Sequence, residues 1–251
     1  TRKVQSHPPT YVSNTVKADR NLFEAHEQKQ MAAANSQIPA LCDEAIRVAT
    51  FNVHYFKDLH AKNSNLNGIM TDVKAMDATV VIMEEVVNSG SEKNQLDSDM
   101  KAAGYGHQAE GYGSGAWLGN VIYSKLPLSN IKVTQLGSAR CLVQATIGTG
   151  AEAITLYGTH LEVKGGQTRL KQAQQITGTM DLKGRSLLTG DMNAHEHTPP
   201  IQEFKSKLSE AFSALSWPQA TYTCWAGTTI DFMFLSHALK GDLLGVYVYH
   251  T

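Results

Sequence analysis

The sequence predicts an α/β fold built on mixed β-sheets, and three observations carry that prediction. Apolar runs of strand length recur along the chain, many of them separated by stretches with helical periodicity. Other runs follow one another directly, which points away from a purely parallel sheet. Several runs end in a polar side chain, as expected where strand ends face a ligand. With 251 residues, 42% of them hydrophobic, the chain can form one large domain or two small ones with a sizeable core.

Residues 1–45 read as an N-terminal extension, partly helical. Residues 1–14 are polar and contain Pro8-Pro9. From Thr15 to Ser36 there is neither Gly nor Pro, and Val16, Leu22, Phe23 and Met31 punctuate a charged stretch. This predicts a roughly amphipathic helix capped by Asn14 or Thr15 and ended at Ile38-Pro39.

The main domain, residues 46–251, opens on a strand with Val48, Thr50 and Asn52 on one side and Ala49, Phe51 and Val53 on the other. A helix is predicted over 66–77, with Leu66, Ile69, Val73 and Met76 on one face. The run from Thr79 to Val86 is apolar on both faces and finishes in Glu84-Glu85. A helix over 92–103 and a Gly/Tyr-rich loop over 104–115 follow, then strands over 117–123 and 142–147. The strand over 153–161 ends at His160, and a helix over 167–182 begins after Gly165-Gly166. Pro199-Pro200 opens a helix predicted over 200–214. The last two strands are predicted over 229–235, with Asp231 near its start, and over 244–249.

The stretch from Ser186 to Ala194 concentrates the pattern. An apolar run reaches Gly190, and Asp191 and Asn193 follow two residues apart, so extended backbone turns both the same way. Taken alone, this is equally a strand followed by an Asx-turn. Likewise Asn52, Glu85, His160 and Asp231 are each explained singly as solvated strand ends. Together they are hard oxygen donors beside a histidine, a set suited to Mg²⁺ or Mn²⁺ and to phosphoryl chemistry.

Composition narrows the alternatives. There are 22 Lys+Arg against 23 Asp+Glu, so the surface as a whole does not attract polyanions, although a local basic groove is compatible with that balance. Cys42, Cys141 and Cys224 show no paired spacing, which fits a reducing, intracellular setting and disfavours a structural zinc site. No apolar run approaches the roughly 18 residues of a membrane span. The first residue is Thr1, which reads as a processed or cut start.

Five stretches, Thr50-Phe51-Asn52-Val53, Met83-Glu84-Glu85-Val86, Gly158-Thr159-His160-Leu161, Gly190-Asp191-Met192-Asn193 and Ile230-Asp231-Phe232-Met233-Phe234, occur in an order that resembles the endonuclease/exonuclease/phosphatase (deoxyribonuclease I-like) superfamily. Gly119 to Ser124 and Arg169-x-x-Gln172 support the likeness, which spans residues 46–251. The resemblance implies a four-layer α/β/β/α sandwich of two mixed sheets flanked by helices. It implies that Glu85, assisted by Asn52, holds the metal, while Asp191 orients or deprotonates water. It further implies that Asn193 holds phosphate or that water, His160 donates to a phosphoryl oxygen, and Asp231 completes the acidic cluster. Glu84 stands where the superfamily usually has Gln; strand alternation assigns the metal to Glu85 instead. His54, Arg140, Lys164 and Arg169 are secondary candidates for substrate contact.

One departure concerns the superfamily's closing Ser-Asp-His, which occurs nowhere in this sequence. His237 and His250 lack its context, and a chain cut before the motif is the expected explanation. Without that histidine, turnover is expected to fall by roughly 10² to 10⁴. The implied activity is metal-dependent phosphodiester hydrolysis, on nucleic acid or a nucleotide-linked ester. The alternatives are a lipid- or inositol-phosphate hydrolase and a catalytically silent phosphate-binding protein. Tyr105, Tyr112 and Trp117 in the loop over 104–117 are candidates for stacking bases, against the plainer reading that they pack the loop.

Overall fold

A computed structural model describes residues 45–58, 62–218, 222–224 and 227–248. The helix predicted over 15–36 and Cys42 lie outside the described residues. The strands are β1 (Val48–Asn52), β2 (Val80–Val87), β3 (His107–Tyr112), β4 (Leu118–Ser124), β5 (Leu128–Gly137), β6 (Arg140–Ile147), β7 (Ile154–His160), β8 (Ser186–Asp191), β9 (Ser209–Glu210) and β10 (Asp231–Leu235). The α-helices are α1 (Leu66–Met76), α2 (Ser91–Ala102), α3 (Gly166–Thr179), α4 (Pro199–Lys205), α5 (Ala211–Ala214) and α6 (His237–Lys240).

The strands form a four-stranded sheet, β1-β2-β4-β3, and a six-stranded sheet, β5-β6-β7-β8-β10-β9. Both are mixed: β1 runs parallel to β2 and β7 parallel to β8, while their other neighbours are antiparallel.

Side-chain alternation builds the layers. On β2, Val81 and Met83 pack with Ile69 and Val73 of α1 and Leu96 and Met100 of α2. Val80 and Ile82 point the opposite way, into a cluster with Val143, Leu156, Leu187 and Leu235 of the second sheet. From there Leu142, Tyr157, Leu188 and Phe234 face outward onto Ile176 of α3 and Ile201 and Phe204 of α4. Three apolar interfaces between four layers make an α/β/β/α sandwich, as expected.

Sheet contact in the middle is close. A Cβ on Gly158 of β7 would lie 2.6 Å from Ile82 Cγ2, so the missing side chain is what lets Ile82 seat against the facing sheet.

Four sequence expectations need correction. The stretch 104–115 is only partly loop, because His107–Tyr112 pairs with β4 as an edge strand. Its low apolar content, His-Gln-Ala-Glu-Gly-Tyr, hid it from a periodicity test. Strand β5 was not expected at all; it is another edge strand and largely exposed, so it lacks the apolar signature. The single helix over 200–214 is instead α4, β9 and α5, with Glu210 accepting N–H groups of Phe212 and Ser213 to start α5. No strand forms over 244–248, although β10 is where expected.

Candidate active site

The alternation that builds the inter-sheet core also carries polar residues to its rim. Thr50 and Asn52 continue the side of β1 that starts with Val48. Glu84 continues the side of β2 that carries Val80 and Ile82. Across the gap, His160, Asp191 and Asp231 lie in one row: His160 is paired in register with Asp191, and Asp191 with Asp231. Residues from both sheets therefore meet at one edge of the sandwich.

A break in alternation adds Glu85. The register of β2 on β4 shifts between Met83 and Val86, and Glu85 takes a left-handed conformation with φ 58°. The bulge turns Glu85 toward the same rim as Glu84. Asn52 Nδ2 joins the sheets by donating to Glu85 Oε1 at 3.3 Å and to Asp191 Oδ2 at 3.1 Å. Glu84 lies deeper, with no exposed surface; its Oε1 accepts from the Thr50 hydroxyl at 2.7 Å, and its Oε2 is buried without a partner. Burial first, then the charges of Asp231 and Asp191, push its carboxyl well above the usual range.

Asp191 ends β8 directly after Gly190, whose φ is +144° and where a Cβ would lie 1.8 Å from the Thr159 carbonyl oxygen. Only glycine lets β8 approach β7 this closely. Asp191 Oδ1 accepts the Asn193 backbone N–H at 2.8 Å, in the Asx-turn anticipated above, and Asn193 itself is left-handed at φ 45°. Burial raises the Asp191 carboxyl, and the N–H groups of Asn193 and Asn52 oppose that shift. Asp231 is pushed up to about 7 by burial and by Asp191, against the Thr223 hydroxyl that donates to its Oδ2 at 2.7 Å. Thr50 and Thr223 were missed in the sequence, and no local signal distinguishes either from any other threonine.

His160 ends β7, buried. Its Nδ1 lies 3.0 Å from Arg140 and its Nε2 lies 2.7 Å from Asn193 Nδ2 and 3.7 Å from Asp191 Oδ2. Burial and the Arg140 charge lower its pKa to about 3, so the ring is neutral. A neutral imidazole has one lone pair, yet both Arg140 and Asn193 bring N–H groups to it. The rim thus holds more donors than the ring can accept. Glu85, Asn120, Arg140, Cys141 and His160 line a small cavity there.

The remaining candidates lie around this group. The His54 ring packs on Tyr55 at 4.3 Å, and its backbone N–H donates to Asn52 Oδ1 at 3.0 Å. Lys164 is exposed, its N–H donating to Glu162 Oε1. Arg169 donates to the carbonyls of Glu162 and Val163, and Gln172 accepts the Glu162 N–H. The Arg169-x-x-Gln172 pair therefore fastens the loop after His160. Among the described residues, Lys164 and Arg169 have no contact with the carboxylates of the rim.

The Endonuclease/Exonuclease/phosphatase family model matches residues 49–249. The chain belongs to this family. Among solved structures, an endonuclease/exonuclease/phosphatase from Beutenbergia cavernae DSM 12333 is similar with a TM-score of 0.63 and 20% identity, over 76% of this chain and 64% of that one. The human Nocturnin catalytic domain with bound sulfate is similar with a TM-score of 0.57 and 18% identity, over 68% of this chain and 74% of that one. A D. rerio TDP2 complexed with single-strand DNA product is similar with a TM-score of 0.57 and 16% identity, over 77% of this chain and 84% of that one. No curated protein sequence matches the chain. Members of this family are hydrolytic phosphoesterases and nucleases.

The family implies a divalent ion, and the donor chemistry fits one of modest protein ligation. Among the described residues, no three His, Cys, Asp or Glu side chains form a ready metal cluster. Mg²⁺ needs only one or two carboxylates and keeps its waters. Glu85 could supply such an oxygen, and its Oε1 accepts from the Asn52 amide beside it. Turning that amide over would present Asn52 Oδ1 as a second hard oxygen, in exchange for the His54 N–H that it now accepts.

Proposed function

We propose that this family member is a divalent-metal-dependent phosphodiesterase. One observation carries the reading: carboxylates from both sheets, Glu85 and Asp191, stand opposite a surplus of donors from Arg140, His160 and Asn193. A phosphate diester needs both sides, acceptors for a cation and an attacking water, and donors for its own anionic oxygens.

Glu85, with Asn52, would hold Mg²⁺ or Mn²⁺, which when bound polarises a phosphoryl oxygen. Asp191 is fixed by two N–H donors and takes the proton of the attacking water. Asn193 and neutral His160 hold a non-bridging oxygen, and Arg140 adds a positive charge next to them. Burial and the Glu85 charge keep the Asp191 carboxyl basic, while Asp231, held by Thr223 and paired in register with Asp191, completes the acidic cluster.

The test is hydrolysis of bis(p-nitrophenyl) phosphate with Mg²⁺ or Mn²⁺, comparing the protein with D191A. Loss of the base is expected to reduce kcat by roughly 10² to 10⁴. Equal rates in both proteins would refute this reading. Metal binding with no turnover in either would favour a phosphate-binding protein on the same scaffold.

A further inference from the structure

The exposed aromatic ledge beside the cavity is built from three strand ends. Trp117 directly precedes Leu118, and Leu118 and Gly119 line the cavity together with Glu85, Arg140 and His160. Its backbone carbonyl accepts the N–H of Asn88, just past the end of β2, at 2.9 Å. Its ring lies 5.7 Å from that of Tyr55, three residues past Asn52. Tyr55 in turn lies 4.3 Å from the His54 ring, and successive rings are tilted by about 50°.

Trp117 is 57% exposed, a large apolar ring held in water beside a polar cavity. The other two aromatics of its segment are turned inward: Tyr105 is buried and donates to the Ala78 carbonyl, and the Tyr112 hydroxyl donates to that of Val87. Tyr55, half-buried, is held against Trp117 by strained backbone. His54, Tyr55 and Phe56 have φ of 44°, 43° and 65°, three consecutive left-handed residues without a glycine. Fully buried Phe56 anchors the turn, and the Lys57–Glu92 ion pair at 3.0 Å holds its exit.

We infer that Trp117 and Tyr55 form a stacking subsite for a nucleobase attached, through its sugar, to the phosphate in the neighbouring cavity. The inference rests on the phosphodiesterase reading above and adds the substrate class. A planar ring suits this surface better than a membrane does, because Gly113, Ser114, Gly115 and Ala116 provide no further apolar anchor beside Trp117. A base stacked on an aromatic ring gains roughly 5- to 150-fold in affinity.

The experiment compares two substrates with the same leaving group: the p-nitrophenyl ester of thymidine 5′-phosphate and methyl p-nitrophenyl phosphate. The protein is expected to favour the nucleoside ester in kcat/KM by roughly 5- to 150-fold. W117A should bring that ratio to about one, and W117F should restore part of it. A ratio unaltered in W117A overturns the subsite while leaving the hydrolase standing. If neither ester is cleaved, the hydrolase reading falls. The ledge is then judged by tryptophan emission, which adenosine 5′-monophosphate should quench in the protein but not in W117F, and which ribose 5-phosphate should leave unaltered. Equal responses to both ligands overturn the subsite.

Discussion

Glu84 shows how one residue can depend on its protonation state. It occupies a fully buried position with one oxygen bonded to Thr50 and the other unpartnered. Its folded pKa is raised above the unfolded value, so the folded state holds the proton more tightly. The resulting stability is complete below the unfolded carboxylate pKa and is lost as pH rises through the folded pKa. Glu84→Gln keeps the shape and removes the titration. In EDTA it is therefore expected to raise Tm at pH 8 by several degrees, at roughly 2–4 °C per kcal/mol, with little effect near pH 4. Equal Tm differences at the two pH values would count against a raised pKa. His160 supplies an independent check of the rim's electrostatics. Arg140→Gln removes a charge that depresses the imidazole, so NMR should find His160 titrating above the present value of about 3, though burial keeps it below 6.5.

At the scale of elements, the decisive features are a bulge and a glycine. Strand periodicity allows only one of Glu84 and Glu85 on the inter-sheet side, and the bulge after Met83 brings both to the rim. A two-residue period cannot report a bulge, because the sequence pattern Met-Glu-Glu-Val is the same with or without one. Edge strands β3 and β5 escaped for a related reason: with one side open to water they need no apolar run. Gly158 is the opposite case, where the facing sheet fixes the residue. Gly158→Ala would force its Cβ to within 2.6 Å of Ile82 Cγ2 and is expected to destabilise by about 1–3 kcal/mol, measurable by denaturant unfolding. An unchanged midpoint would mean that the two sheets are less tightly apposed.

Across the whole domain, the acidic rim is shared between sheets. Glu84 and Glu85 come from one and Asp191 and Asp231 from the other, with Asn52 bonded across the gap. Burial and mutual repulsion raise Glu84 and Asp191, and push Asp231 up to about 7. A divalent cation that neutralised this rim would tie the halves of the sandwich together. Mg²⁺ or Mn²⁺ should therefore raise Tm, with about 2.7 kcal/mol of added stability at a hundredfold excess over Kd. EDTA should reverse the rise, and E85A should abolish it. A Tm insensitive to both ions would remove the metal from the proposal.

The sequence by itself determined the mixed α/β character, the positions of most buried strands and the identities of the rim residues Asn52, Glu85, His160, Asp191, Asn193 and Asp231. Those are local properties: burial on both faces enforces continuous apolar runs, and strand ends interrupt them with polar side chains. Only the tertiary structure decided that Glu84 lies beneath the rim, that Thr50 and Thr223 hold two of its carboxylates, that Arg169 fastens a loop, and that Tyr55 meets Trp117. Each of these depends on contacts between residues from 7 to 62 positions apart. Such contacts arise when neighbouring strands pair and loops fold back onto the elements they join, and no periodicity along a single chain encodes them.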